Sequence, residues 1–331
     1  MKTAIAILNW NGKELLEEFL PAIIRYSSSA DIYVIDNAST DDSIAFLAQN
    51  FPTIKQVVLA ENYGFAKGYN EGLKHIDADL YCLLNNDVEV TENWLNPVIE
   101  GFKKTNVSIA QPLLLQHKNK KYFDYAGAAG GFIDKYGFAY CRGRIFNDLE
   151  ENLNQYNNPH DCFWASGACF FVRKNVWVEL GGFDEDFFMH QEEIDFCWRA
   201  YNAGKITQTI GTSFVYHVGG ASLAPSPKKT YYNHRNSLWM MLKNLPKTAL
   251  IPILLQRFIL DGIAGIHYLF QGNFISFFMV IKAHLVVYAS LRRTINKRLN
   301  ISAKRQYFQR KSIVWDYFIL RKSKFHDLRG L

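Results

Sequence analysis

The 331-residue chain has few cysteines, no secretory leader pattern and no large excess of one charge. Its five cysteines, Cys82, Cys141, Cys162, Cys169 and Cys197, are odd in number and never spaced C-x-x-C. That spacing excludes a zinc ribbon, and reduced thiols in a cytosolic protein are expected instead of a disulfide frame. No hydrophobic run with a cleavage site precedes Thr3–Leu8, so secretion is not expected. The dinucleotide fingerprint G-x-G-x-x-G is missing as well. The glycine-rich stretch from Tyr125 to Phe132 lacks its spacing, and a flexible acceptor-side loop or a hairpin is expected there.

The net charge of +6 is unevenly placed. Residues 292–331 hold 12 Lys and Arg against two Asp, Asp316 and Asp327. The other 291 residues hold 25 basic and 29 acidic side chains. This excludes a chain-wide nucleic-acid surface. A basic tail suits anionic lipid headgroups, each basic residue adding about 1 kcal/mol near such a surface. A solvated helix pair is the plainer reading.

With 49% hydrophobic residues the chain can bury one large or two modest cores. The first ~110 residues alternate strand and helix. Lys2–Leu8 is an apolar run ending at the turn Asn9–Gly12. Lys13–Tyr26 has helical spacing, with Leu15, Leu16, Phe19, Leu20 and Ile23 on one stripe. Asp31–Ile35 is a second strand, followed by a helix capped by Ser39 or Thr40. Strands at Ile54–Leu59, Leu80–Leu84 and Val107–Gln111 alternate with helices at Ala66–His75 and Glu92–Lys104. That order implies a mostly parallel sheet covered on both faces, with ligands beyond the carboxyl ends of its strands. Asn9–Gly12, Asp36–Ser39 and Asn85–Asp87 all fall at that edge.

Further on, Ala168–Val172 and Ile206–Tyr216 read as strands. Lys174–Leu180, Glu192–Ala203 and Lys229–Asn244 read as helices. Beyond Pro246, Leu250–Phe270 and Phe274–Leu291 are long and apolar. Arg257 and Asp261 can pair across one turn of the first. Lys282 and His284 interrupt the second, and a central Lys costs roughly 2.5–3.5 kcal/mol in a bilayer. Helices lying in a membrane interface are therefore expected more than clean spans, with a buried helical subdomain as the alternative. Three regions follow: 1–111, 112–245 and 246–331.

Several residues have the chemistry of a site. Asp87, after a buried strand, can hold Mg²⁺ or Mn²⁺, which prefer hard oxygens and would neutralise a departing diphosphate. Asn85 can bond a ribose, and Asp36 can accept a nucleobase N–H or simply form a turn. Asn62–Gly68 leads into a helix whose N-terminus favours phosphate. Asp184, Glu185, Asp186, Glu192, Glu193 and Asp195 form the densest acidic cluster, and Glu192 and Glu193 open a helix. One of them can be a general base. His217 ends a strand and can complete a metal shell or be structural.

Taken in order, Ile5–Gly12, Val34–Asp41, Asn62–Asn70, Leu83–Val88, Gly167–Arg173, Gly182–Asp195 and His217–Ser222 resemble the family 2 glycosyltransferases, in the rhamnosyltransferase-like branch. The resemblance covers about residues 3–240. It implies a GT-A fold with a C-terminal helical, membrane-associating region. It implies a nucleotide-sugar site drawing on Asn9, Asp36, Asn37, Asn62, Gly64, Lys67, Asn85 and Asn86, with Arg235 reaching the diphosphate. It implies a metal at Asp87 and His217, in a D-x-D-type turn whose first position is Asn85 here. It implies a base in the acidic pair, at Glu193 or else Glu192. The Q-x-x-R-W motif of processive synthases does not occur. Single-sugar inverting transfer is expected, from a dTDP-rhamnose-like or UDP donor to a glycan or polyprenyl-linked acceptor. The expected setting is the cytoplasmic face of the cell membrane, in surface polysaccharide assembly; a homo-oligomer is compatible with it. The rival readings are a non-catalytic nucleotide-sugar-binding scaffold and a nucleotidyltransferase or hydrolase on a similar sheet.

Overall fold

The computed structural model describes residues 1–104, 106–219, 226–299 and 303–328. Gly220–Ser222, part of the last motif named above, lie outside them. The strands are β1 (Thr3–Asn9), β2 (Asp31–Asp36), β3 (Lys55–Val58), β4 (Leu80–Asn85), β5 (Val88–Val90), β6 (Val107–Gln116), β7 (Gly131–Ile133), β8 (Ala139–Cys141), β9 (Arg144–Ile145), β10 (Asp148–Leu149), β11 (His160–Cys162), β12 (Cys169–Arg173) and β13 (Ile206–His217). The helices are α1 (Lys13–Tyr26), α2 (Ser43–Asn50), α3 (Gly64–Leu73), α4 (Leu95–Lys104), α5 (Lys174–Leu180), α6 (Glu192–Asn202), α7 (Pro227–Asn244), α8 (Lys247–Phe270), α9 (Phe274–Ala289), α10 (Leu291–Asn296) and α11 (Ile313–Phe318).

The main sheet runs β11-β13-β6-β12-β4-β1-β2-β3, with β5 added onto β13. Strands β4, β1, β2 and β3 are parallel, as the alternation of strand and helix predicts. β12 enters antiparallel between β4 and β6, and β13 returns parallel to β6. Side chains alternate across the sheet. Ile5 and Ile7 join Leu16, Leu20, Leu47 and Val98 on one face. Ala4 and Ala6 join Tyr69, Trp177, Phe196 and Trp198 on the other. Both faces are therefore dry, and only strand ends can offer polar groups to a ligand.

Several expectations shift. The strand expected to stop at Gln111 runs on to Gln116 through Pro112. Pro112 pairs with Ile210, where the register of β13 shifts by a bulge, so no ladder bond is demanded of the missing N–H. The division at residue 111 falls inside this strand. Neither Ser39 nor Thr40 caps α2, which starts at Ser43 behind Asp42. The Ser39 hydroxyl instead accepts from Asn11 N at 2.9 Å. The glycine-rich stretch leads into the hairpin β7–β8 of a second, four-stranded sheet. There Gly131 presses so closely on the Trp164 ring that a Cβ would lie 1.9 Å from it. All five cysteines are free and buried.

The C-terminal helices pack on α7 and leave an apolar stripe outside. On α8, Ile251, Leu255, Ile259, Ile263, Ile266 and Phe270 are exposed, Phe270 by 87%. On α9, Phe274, Phe278, Leu285 and Tyr288 are exposed too. The 24 residues of α8 are long and apolar enough to cross a bilayer, and this one helix is weak evidence that it does. Arg257 and Asp261 point inward and pair at 2.8 Å, as their spacing predicts.

Candidate active site

The carboxyl ends of β1, β2, β4 and β13 converge on one edge of the sheet. Asn9 is fully buried there and donates to Asp36 Oδ2 at 3.2 Å. Asn86 Nδ2 donates to Asn9 Oδ1 at 3.0 Å. Asp36 Oδ1 accepts from Ser39 N at 2.8 Å. Asp36 is 1% exposed, and each of its oxygens accepts one hydrogen bond that braces the turn. Asn37 has a similar task. It donates to Asn62 Oδ1 and to Gly64 O, both at 3.0 Å, and accepts from Tyr63 N at 3.0 Å. Gly64 enters α3 with φ +73°, and a Cβ there would strike the Phe188 ring at 2.9 Å. Lys67 lies over the Tyr63 ring, 4.0 Å from its centroid.

Asp87 follows β4. Its Oδ1 lies 3.3 Å from His217 Nε2, and His217 Nδ1 lies 3.0 Å from Asp124 Oδ1. Burial opposes the charged form of Asp87, but its bond to His217 outweighs this and lowers its pKa. Burial likewise disfavours the His217 imidazolium, yet the bonds to Asp124 and Asp87 push its pKa up to about 10. A carboxylate behind an imidazole fixes the ring and turns the other nitrogen outward, the usual support for a metal-binding histidine. Among the described residues no group of three or more His, Cys, Asp or Glu side chains is placed to hold a metal ion alone. Once the Nε2 proton is given up, the Asp87 carboxylate and the His217 imidazole fit a divalent cation whose remaining positions are filled by phosphate oxygens and water.

Asn85 and His217 line a cleft of about 530 Å³, and Glu192 and Glu193 line the same cleft. The acidic cluster has divided. Asp184 and Asp195 both accept from Lys243 Nζ, at 2.8 and 2.7 Å. Asp195 also pairs with Arg199, and Asp184 and Asp186 pair with Lys297. Glu192 and Glu193 each keep an oxygen, Oε2, without a hydrogen-bond partner. Burial raises the Glu193 pKa to about 7. Burial, with Glu193 beside it, raises Glu192 well above the usual carboxylate range. Side by side, the two carboxyls oppose each other's ionisation, so the pair gives up one proton more readily than two.

The loop before this pair is strained. Phe188, His190 and Gln191 have φ of +63°, +67° and +70°, where non-glycine residues are uncommon. Helix α7 clamps it. Asn236 Nδ2 donates to the carbonyls of Met189 and His190, both at 2.8 Å. Arg235 Nη2 donates to Asp186 O and Phe187 O at 3.2 and 3.1 Å, and its guanidinium stacks on Trp239. Arg235, expected at the diphosphate, is not among the cleft-lining residues; these carbonyls take it up instead.

Sequence reasoning missed Asp124, Arg144, Lys229 and Asn236. Asp124 meets His217 across 93 residues of chain. One signal was present: Asp124 is a lone carboxylate between the aromatic residues Phe123 and Tyr125.

Residues 4–177 match the family model described as Glycosyl transferase family 2. The low-salt glycan biosynthesis hexosyltransferase Agl10 of Haloferax volcanii is 24% identical over 201 residues, which are 60% of this chain and 61% of its own length. The N-acetylglucosaminyl-diphospho-decaprenol L-rhamnosyltransferase of Mycobacterium tuberculosis is 22% identical over 304 residues, 86% of this chain and 93% of its own. In fold the chain is similar to GalNAc-T7, solved with UDP, GalNAc and Mn²⁺, at a TM-score of 0.57 and 15% identity over 73% of this chain and 48% of that one. The chain thus spans less than two thirds of the first of these relatives and about half of GalNAc-T7. The sheet order and this likeness identify the fold class as GT-A. On the strength of the match over more than half its length, the chain belongs to glycosyl transferase family 2.

Proposed function

We propose that this chain moves one sugar from a nucleoside-diphosphate donor to an acceptor hydroxyl, with inversion at the anomeric carbon. One observation carries the reading. The cleft that holds Asn85 and His217 also holds two carboxyls, each with a buried, unpartnered oxygen. Asp87 and His217 would hold a divalent cation, which supplies charge neutralisation to a departing nucleoside diphosphate. The residues of the chain do the rest. The network of Asn9, Asp36, Asn86, Asn37 and Asn62 shapes the nucleoside end of the site in advance. Asn85 offers a polar contact to the ribose. Glu193 takes the proton of the acceptor hydroxyl as that oxygen attacks, and a pKa near 7 suits a base working at neutral pH. Glu192, held protonated, keeps a second negative charge out of the pair. Arg235 and Asn236 hold the loop that presents both.

For the donor, a UDP or dTDP sugar fits the reading. GalNAc-T7 was solved with UDP, and the mycobacterial relative is named for rhamnose and a decaprenol diphosphate acceptor. A polyprenyl-linked or glycan acceptor follows for this chain. The exposed stripe of α8 and α9, with Arg292, Arg293 and Lys297 nearby in sequence, suits the cytoplasmic surface of an anionic membrane. A panel of nucleotide sugars tests the reading, scored for nucleoside diphosphate released together with a glycosylated lipid. Free sugar without a glycosylated product would replace it with a hydrolase.

A further inference from the structure

The transfer reading uses Asp87, His217, Glu192 and Glu193, but leaves unexplained a group of basic side chains in the same cleft. Arg144, Lys229 and His190 all line it. They come from β9 in the second sheet, from the first turn of α7 and from the strained loop before α6. Arg144 and Lys229 share one aromatic ring: the guanidinium lies 4.4 Å and the ammonium 5.3 Å from the Tyr125 centroid. Arg144 is only 6% exposed. It donates to Phe146 O at 3.2 Å and to Cys141 Sγ at 3.5 Å, and its Nε–H has no hydrogen-bond partner.

Such an arrangement is costly when empty. A buried guanidinium with an unused N–H has lost water and gained nothing for that proton. Burial and then the charge of Arg144 lower the pKa of Lys229. Burial and then the charge of Lys229 lower that of His190 to about 4. Burial and a neighbouring charge disfavour the charged forms of Lys229 and His190, and an anion entering beside the Arg144 guanidinium would offset that cost. The guanidinium fork matches the oxygens of a phosphate in particular.

We propose that Arg144, Lys229 and His190 form a subsite for a substrate phosphate group, carried either by the lipid-linked acceptor or by the nucleotide donor. The binding itself needs only the cleft; the identity of the phosphate rests on the transferase reading above.

Calorimetry on the full chain tests this with three probes: inorganic pyrophosphate in EDTA, farnesyl phosphate in EDTA, and UDP with Mn²⁺. EDTA removes any metal contribution from Asp87. The wild type should bind pyrophosphate without metal. Lys229→Gln, on a half-buried side chain, should weaken it about ten- to a hundredfold, and Lys229→Arg should restore most of it. Arg144→Lys keeps the charge but loses the fork, and should cost about tenfold while the far-UV spectrum stays native. Loss confined to farnesyl phosphate assigns the subsite to the acceptor, and loss confined to UDP–Mn²⁺ assigns it to the donor. The proposal is overturned if folded variants stay within about twofold of wild type for every probe, or if the wild type fails to bind pyrophosphate in EDTA. Failure of the wild type to bind UDP–Mn²⁺ or to release nucleoside diphosphate would instead sink the transferase reading and leave the metal-free result standing.

Discussion

Two groups of polar residues are finished to different degrees. In the one proposed to shape the nucleoside end, Asn9, Asp36, Asn37, Asn62 and Asn86 bond to one another, to the Ser39 backbone and to the Asn62–Gly64 turn. In the other, Glu192, Glu193 and Arg144 each keep a buried polar atom without a partner. Satisfied polar networks give rigidity, and unsatisfied groups store cost that a ligand or transition state can recover. The first group is therefore built to hold shape, and the second keeps the side chains to which the transfer chemistry is proposed.

Removing the reactive carboxylate should break this contrast most sharply. Glu193→Gln should lower transfer by about 10²- to 10⁴-fold, the usual reach of a general base, read as product formed per minute. The same variant should be more stable than wild type at alkaline pH. A carboxyl whose folded pKa lies above its unfolded one keeps its proton in the native state, so stability falls as pH rises from about 4.5 toward 7. The amide has no such loss, so the melting midpoint of the variant should overtake wild type across that window and stay ahead above it. In wild type, kcat/KM should climb with pH and level off above about 7; a profile flat from pH 5 to 8 would remove Glu193 from the base role.

The paired half of the acidic cluster should respond in the opposite way. Lys243→Met leaves buried Asp184 and Asp195 short of a cation. It should cost about 3–5 kcal/mol of stability, visible as a lowered denaturant midpoint. On the nucleoside side, Asn9→Ala strands Asp36 Oδ2 and the Asn86 amide. It should cost about 1–3 kcal/mol and raise the donor KM more than it lowers kcat. The smallest effect is expected at the clamp. Asn236→Ala frees the carbonyls of Met189 and His190, and should lower kcat about tenfold with donor affinity unchanged by equilibrium titration.

The same contrast explains what could be read from the chain. The parallel half was legible because each of its signals is local. Apolar strands end in Asn9, Asp36 and Asn85, and period and turn chemistry need no distant partner. Glu192 and Glu193 stood out for the same reason, at the start of a helix. What escaped depends on contacts across the chain. The continuation of β6 through Pro112 is permitted by a bulge in β13, about 100 residues later. The inward turn of Asp36 depends on Asn9, and the capture of Arg235 by the 186–187 carbonyls depends on a loop that no local pattern announces. Asp124 and Arg144 sit in the stretch between β6 and β11, where short strands carry weak periodicity.

Arg257 ties the outer surface of the molecule to its interior. It sits halfway along α8, whose other side carries the exposed isoleucines, and its Nη1 reaches both the Tyr136 carbonyl and the Ser237 hydroxyl at 2.8 Å. It also lines the cleft. The helix is thus bolted through its middle to the wall of the cleft. A force on the exposed side of α8 would therefore reach that wall through a single guanidinium.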